Sequence, residues 1–226
     1  MTPPARGGGR AGAGAVTLAA VPDPAALVIG FDLDMTLVDS RPGIAATLTA
    51  LAEETGTPID ADLVVGRLGP PLEDEMAHWF PAHEVPAVSD RFRALYADLG
   101  VPGTVLLDGA AESVAAVRAA GGGVVVVTAK FEPNAVACLD YVGLAVDAVC
   151  GWRHGPDKGV ALAEHGAAVY VGDTPTDIVG ARGVGIVAVG VATGPHEPGE
   201  LHAAGADVVL GSLTEFPAWL GAWVER

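Results

Sequence analysis

Lysine is almost missing from this chain: its 226 residues include only Lys130 and Lys158. Arginine does not make up the difference. Lysine and arginine together number 12 against 28 acidic residues, a formal charge of −16. A surface of that sign repels phosphate backbones and anionic headgroups, so neither nucleic acid nor a membrane is expected as a partner. Aromatic residues make up only 5 %. No apolar run reaches the roughly 18 residues of a membrane span. Two cysteines, Cys138 and Cys150, are too few for a disulfide framework or a thiolate metal cage. Both lie in apolar stretches and read as buried thiols, as a reducing cytoplasm allows.

What is plentiful is small and apolar. Hydrophobic residues make up 50 % of the chain, with Ala, Gly and Val prominent, enough for one packed core or a core with a small inserted unit. Residues 1–24 are Gly-, Ala- and Pro-rich. Arg6 and Arg10 precede the mild apolar run Ala11–Ala20, which lacks the Leu-rich centre of a leader segment. A flexible tail is expected there.

From residue 25 the pattern has three parts. Leu27–Phe31 is a short apolar run and reads as a buried strand. Residues 41–103 read as helices (41–55, 60–67, 71–79 and 84–99) broken by Gly and Pro. From residue 104 onward strands and helices alternate. Strands are expected at 124–127, 146–150, 168–171, 186–189 and 207–210. Helices are expected at 110–120, 132–140, 157–165, 175–182, 198–204 and from 213. Continuous Val runs between helices predict an α/β fold, a doubly wound and mainly parallel sheet covered on both faces. Residues 25–40 and 104–226 would form that core. Residues 41–103 would be a helical cap inserted after the first strand, over the sheet edge where such folds bind ligands.

The chemistry-bearing residues sit at strand ends. FDLDMTLVDS (31–40) puts Asp32 and Asp34 two apart in extended backbone, so both can face one side. An Asx-turn or a helix cap would explain one of them. It would not explain two carboxylates and Thr36 at a buried strand end, which call for a cation or a reaction. VVVVTAK (124–130) ends a strand at Thr128. Alone this reads as a helix N-cap, but a hydroxyl beside free N–H groups also makes an anion site. Lys158 stands near a helix start, where the dipole disfavours a cation. YVGDTPTDIVGAR (170–182) carries Asp173 and Asp177, which alone could be a cap and a first-turn charge. Brought to one edge, these ends form a carboxylate cluster for a hard cation, facing a hydroxyl and an ammonium for an anion.

The order and spacing of these residues resemble the haloacid dehalogenase superfamily over residues 26–224. The family's first motif, DxDx[TV], is matched by Asp32, Asp34 and Thr36, and its second by Thr128. Its third is matched by Lys158, and its fourth, GDxxxD, by Gly172, Asp173 and Asp177. The helical insertion between the first and second motifs looks like the family's C1 cap. GPPLEDEM (69–76) and GVATG (190–194) are similar to segments of phosphoglycolate-phosphatase-like members. Met35 departs from the pattern by standing where the family usually has Gly, so the backbone there must avoid or tolerate φ > 0. Leu107-Asp108-Gly109 departs likewise, where many relatives have Pro-Gly.

The resemblance implies a phosphatase acting on a small phosphorylated metabolite, either phosphoglycolate-like or a nucleotide or sugar monophosphate. Asp32 would be the nucleophile and carry an aspartyl-phosphate, and Asp34 the general acid and then base. Magnesium (Mg²⁺) would be held by Asp32, the backbone carbonyl of Asp34 and Asp173, with Asp177 orienting a metal-bound water or Lys158. Thr128 and Lys158 would hold the phosphoryl oxygens. Thr36, Ala129, Lys130, Arg67 and Leu72 are the expected substrate contacts, the last two flanking the GPP turn of the cap. No lysine occurs between 41 and 103, which disfavours a phosphonatase with its cap Schiff-base lysine. Asp34 disfavours a dehalogenase, because those members lack the second aspartate.

A phosphotransferase or phosphomutase on the same fold is the alternative, along with a non-enzymatic phospho-acceptor domain. A receiver domain is disfavoured by motif order: there an adjacent acidic pair precedes the phosphorylated aspartate, whereas here DxD comes first, the second acidic pair last, and a cap is inserted. Monomer and homodimer are both compatible with the sequence. Deleting residues 1–22 is expected to leave soluble yield and phosphatase activity nearly unchanged. A large loss of soluble protein on deletion would contradict the tail reading.

Overall fold

The structure, a computed structural model, describes residues 27–225, so the tail expected over residues 1–24 lies outside the described residues. The first strand, β1 (Val28–Phe31), is buried along its whole length. After it the chain turns through Leu33–Val38, where the Leu33 carbonyl accepts from the N–H groups of Thr36, Leu37 and Val38. The turn delivers a two-residue strand, β2 (Val38–Asp39). Helices α1 (Arg41–Thr55), α2 (Ala61–Val65), α3 (Leu72–Met76) and α4 (Val85–Leu95) follow. A π-turn, Tyr96–Gly100, and a 3-10 turn, Val101–Gly103, lead back to β3 (Val105–Leu106). β2 and β3 pair antiparallel and form a two-stranded neck below the helices.

The remainder alternates: α5 (Ala110–Ala119), β4 (Gly123–Val127), α6 (Glu132–Val142), β5 (Ala148–Cys150), α7 (Pro156–Glu164), β6 (Val169–Gly172), α8 (Pro175–Gly183), β7 (Val187–Val191), α9 (Pro198–Ala203), β8 (Val208–Leu210) and α10 (Phe216–Val224). Six strands form one sheet in the order β5-β4-β1-β6-β7-β8, with every pairing parallel. This is the doubly wound α/β architecture read from the sequence. The chain winds outward from β1 through β4 to β5, then returns to β6 and winds the other way. The carboxyl ends of β1, β4 and β6 therefore meet at the reversal point, where an open α/β sheet leaves a crevice.

Three apolar clusters hold these layers. Ile29, Phe31, Val124, Val126 and Phe216 belong to the cluster on one face of the sheet. Tyr170, Leu162, Ile178 and Leu201 belong to the cluster on the other. A third, with Ile44, Leu48, Leu51, Met76, Phe92 and Tyr96, binds α1–α4 together and reaches Cys138 on α6.

Local differences from the sequence reading have physical causes. The helix expected over 84–99 stops at Leu95 and widens into the π-turn at Tyr96–Gly100. The segment expected over 60–67 is helical only to Val65, because Gly66 closes it and prolines follow at 70 and 71. The neck pairing was not anticipated; two-residue strands carry no periodicity. Cys138 is buried as expected, while Cys150 is only half-buried.

Gly43 on α1 allows the close approach of this helix to the π-turn: a Cβ there would lie 2.1 Å from the Gly100 carbonyl oxygen. Ala in a helix interior ordinarily gains up to about 1 kcal/mol over Gly. Here the backbone clash outweighs that gain, and Gly43→Ala is expected to destabilise by about 1–3 kcal/mol. Urea unfolding checks this, and an unchanged or raised midpoint would contradict it.

Candidate active site

The strand ends carry the expected residues to one place. Asp32 follows β1 directly and is buried, its N–H donating to the Val171 carbonyl at 2.8 Å. Asp173 follows β6, and Asp177 lies in the first turn of α8. Ligand atoms of these three carboxylates all lie within 4.8 Å of one another. Thr128 follows β4 and is buried. Lys158 is buried in the first turn of α7, with Nζ 2.5 Å from Asp177 Oδ1 and 3.1 Å from Asp32 Oδ1. Those two carboxylates offset its unfavourable position on the helix dipole.

The GDxxxD spacing has a local explanation. Thr174 is the N-cap of α8, and its N–H and Oγ1 both donate to Asp177 Oδ2, at 3.0 and 2.8 Å. The Asp177 N–H donates back to Thr174 Oγ1, which completes a capping box. The Asp177 carboxylate thus folds back over Gly172, where a Cβ would lie 2.4 Å from its Cγ. One aspartate caps the helix with one oxygen and grips Lys158 with the other. The cap is Thr174, not Asp173, which stays free to face the cavity.

Burial dominates the electrostatics. It pushes the Asp32 carboxyl up to about 7; Lys158 opposes the shift, and Asp177 and Asp34 add to it. Asp173 is raised well above the usual carboxylate range, first by burial and then by Asp177 and Asp32, with the Thr36 hydroxyl opposing. Lys158 is raised despite its burial, because Asp177 and Asp32 flank it. Three carboxylates thus share a single ammonium. Asp32 Oδ1 is fully buried and has no hydrogen-bond partner; the lysine is near it but not aligned with it. An all-oxygen donor set with excess negative charge and an orphaned oxygen suits a hard divalent cation. Asp32 and Asp173 are the residues that could hold one, with Asp177 behind them.

Residues 29–182 match the family model for haloacid dehalogenase-like hydrolases, and residues 152–216 match a second, HAD-hydrolase-like model. The chain belongs to the haloacid dehalogenase-like hydrolases. This hydrolase is 32 % identical to a phosphoglycolate phosphatase of Caulobacter vibrioides, with 84 % of its own length and 88 % of the other covered. It is 29 % identical to the tyrosine-protein kinase PtkA of Mycobacterium tuberculosis, covering 78 % of its own length and 65 % of that protein. Among solved structures it is similar to a haloacid dehalogenase-like hydrolase from Streptococcus pneumoniae. That likeness has a TM-score of 0.75 and 26 % identity, covering 86 % of this chain and 98 % of the other. Its expected character as an enzyme of the phosphatase kind rests on this membership and these likenesses.

Several expected contacts are arranged differently in this hydrolase. Asp34 was expected to meet the metal through its backbone carbonyl; its carboxylate stands outside the three-carboxylate cluster and pairs with Lys130 at 2.9 Å. Lys130 was expected to touch substrate. It lines the cavity, with its ammonium paired to Asp34 and 4.3 Å from the centre of the Tyr96 ring. Thr36 does not line the cavity, because it is fully buried and donates to Asp173 Oδ1 at 2.8 Å. Ala129, Arg67 and Leu72 do line it, but Arg67 is already held by Glu75 through two bonds of 2.9 and 2.7 Å. Met35 adopts φ 61°. Its N–H donates to Val38 and its carbonyl accepts from Thr193 Oγ1 at 2.5 Å, which offsets the strain.

Sequence reasoning missed Tyr170, whose hydroxyl lies 2.7 Å from the Val127 carbonyl and 3.3 Å from Asp177. A hydroxyl inside a valine strand ending at GD was an available signal. It also missed Glu75, although that residue lies in the GPPLEDEM segment (69–76) picked out by the resemblance.

Thr36→Val removes the hydroxyl that orients Asp173 while keeping the side-chain shape. Mg²⁺ affinity, measured by titration calorimetry, is expected to fall about 10- to 100-fold. Unchanged affinity would show that Asp173 is not a ligand or needs no such support.

Proposed function

We propose that this hydrolase is a Mg²⁺-dependent phosphatase that removes the phosphoryl group of a small metabolite through an aspartyl-phosphate on Asp32. The observation that carries the reading is the unequal environment of the two motif aspartates. Asp32 keeps a buried, unbonded oxygen beside Lys158, whereas Asp34 sits further out, partly exposed and paired with Lys130.

Asp32 attacks phosphorus, the bond to the leaving oxygen breaks, and Asp34 gives that oxygen its proton. Water then attacks the same phosphorus and passes a proton to Asp34. Phosphate leaves and the Asp32 carboxylate is restored. Both proton transfers pass through the Asp34 carboxylate, which the Lys130 ammonium holds in place at 2.9 Å. Lys158 and Thr128 hold the phosphoryl oxygens. Mg²⁺ would be held by Asp32, Asp173 and the Asp34 carbonyl, and would supply the positive charge that lets a carboxylate approach an anionic phosphate. Phosphoglycolate, the substrate named for the Caulobacter relative, is one member of the class; nucleotide and sugar monophosphates are others.

The likeness to PtkA favours a second reading, transfer of the same phosphoryl group to an acceptor other than water. Both readings share the phosphoenzyme. They part at the acceptor: hydrolysis predicts one inorganic phosphate for every leaving alcohol, and transfer predicts less.

Asp32→Asn is expected to form no phosphoenzyme. Asp34→Asn keeps the nucleophile and loses proton transfers of about 10²–10⁴-fold. With p-nitrophenyl phosphate, whose leaving group needs little acid help, Asp34→Asn is expected to accumulate phosphate on Asp32. Acid quench and intact-protein mass spectrometry check this. If neither variant carries phosphate and both only lose Mg²⁺, the aspartates are metal ligands and the nucleophile assignment fails.

A further inference from the structure

Lys130 joins the loop after β4 to the Asp34 carboxylate, and a ring from the helical insertion rests on its ammonium. The Lys130 N–H donates to Thr128 Oγ1 at 3.2 Å, and its carbonyl accepts from the Trp152 N–H at 2.9 Å. Its backbone is therefore fixed. A long lysine side chain has no such support of its own and loses much rotamer freedom when held in one place. Two groups hold this one: the Asp34 carboxylate at 2.9 Å, and the Tyr96 ring, whose centre is 4.3 Å from Nζ. The negative face of an aromatic ring attracts a cation, more strongly away from water. Here the lysine side chain is nearly buried and Tyr96 is fully buried.

The insertion makes room for the ring. At Tyr96 the chain leaves the α-helical register, and the Val101 N–H donates to the Tyr96 carbonyl, closing the π-turn. Gly100 faces the ring, and a Cβ at that position would overlap it. The Phe92 ring packs beside Tyr96 with centres 5.8 Å apart, and the Tyr96 hydroxyl reaches Cys138 Sγ at 3.7 Å. The ring is thus held by α4, α6 and the turn itself.

Lys130 is the only side chain among the described residues that bonds the Asp34 carboxylate. A phosphoryl group entering the cavity offers the same ammonium a second anion. If the ammonium followed it, no side chain would aim Asp34, and a reacting group displaced by about 1 Å can cost about 10²-fold in rate. The ring favours the ammonium where it now stands. Resting on the phosphatase reading, we propose that Tyr96 is a positioning residue. Its ring keeps the Lys130 ammonium against Asp34, so that this carboxylate stays aimed first at the leaving oxygen and then at water.

The test uses the full chain with Mg²⁺ and p-nitrophenyl phosphate. It reads kcat, KM and, after acid quench, the phosphate carried on the protein. Tyr96→Phe keeps the ring face and is expected to stay within about 3-fold of the wild type. Pentafluorophenylalanine in place of Tyr96 keeps the ring shape and removes its negative face. That variant and Tyr96→Leu are each expected to lower kcat by about 10-fold or more, with KM moved by less than about 3-fold. Both are expected to accumulate phosphate on Asp32, as Asp34→Asn does. The fluorinated ring fills the same space, so its result decides even where Tyr96→Leu folds poorly. A fluorinated variant that turns over like Tyr96→Phe, or that loses kcat without carrying phosphate, would overturn the proposal. A rise in KM alone would overturn it too, because that marks a lysine serving substrate. If Asp34→Asn itself carries no phosphate, the acid–base reading of Asp34 falls and the proposal falls with it.

Discussion

Three carboxylates buried against one ammonium are the constraint on which the rest of this structure depends. Asp32, Asp173 and Asp177 are all withdrawn from water, and Lys158 neutralises only one of the three charges. Such a group costs folding free energy unless a further positive charge joins it. The fold keeps it by making each member necessary to something else. Asp177 caps α8, Asp32 ends β1 at the sheet's reversal point, and Asp173 is tied by Thr36 to the loop that follows β1. Local strain is tolerated in the same loop at Met35, whose backbone bonds to Val38 and Thr193 hold it.

Around that centre the sheet and the helical insertion divide the work. The parallel sheet converges the charged residues because strands of one direction end at one edge. The insertion contributes no lysine and offers an apolar face; the antiparallel neck joins it to the rest, and the close contact of Gly43 with Gly100 draws its two ends together. The two parts meet at Tyr96, which lies in the π-turn and covers the Lys130 ammonium. Its hydroxyl is pushed up to about 12, first by burial, with Lys130 opposing and Asp34 adding. It therefore stays protonated at neutral pH.

The sheet was legible because valine runs and Gly/Pro breaks are local signals, and the carboxylate cluster because parallel strand ends must converge. Lys158 stood out for a related reason: in a chain with two lysines, one at an unfavourable helix start needs a partner. What could not be read were pairings between distant side chains. Lys130 follows the second motif and reads as a substrate contact, but Asp34, 96 residues earlier, claims it. Thr36 reads as a cavity residue, yet its hydroxyl turns to Asp173, 137 residues on. Arg67 and Glu75 are only eight apart, but a turn rich in Gly and Pro separates them and no helical period links them. In each case the sequence shows the group but not the partner that the protein has given it.

The central claim is that the buried carboxylates are arranged for a divalent cation. Crystals soaked in Mn²⁺ and measured for anomalous scattering test it most directly. A single strong peak between Asp32 and Asp173 is the predicted result. Full scattering elsewhere, or none at these carboxylates at millimolar Mn²⁺, would mean that Lys158 and shared protons alone balance the cluster, and the account built on it would be wrong.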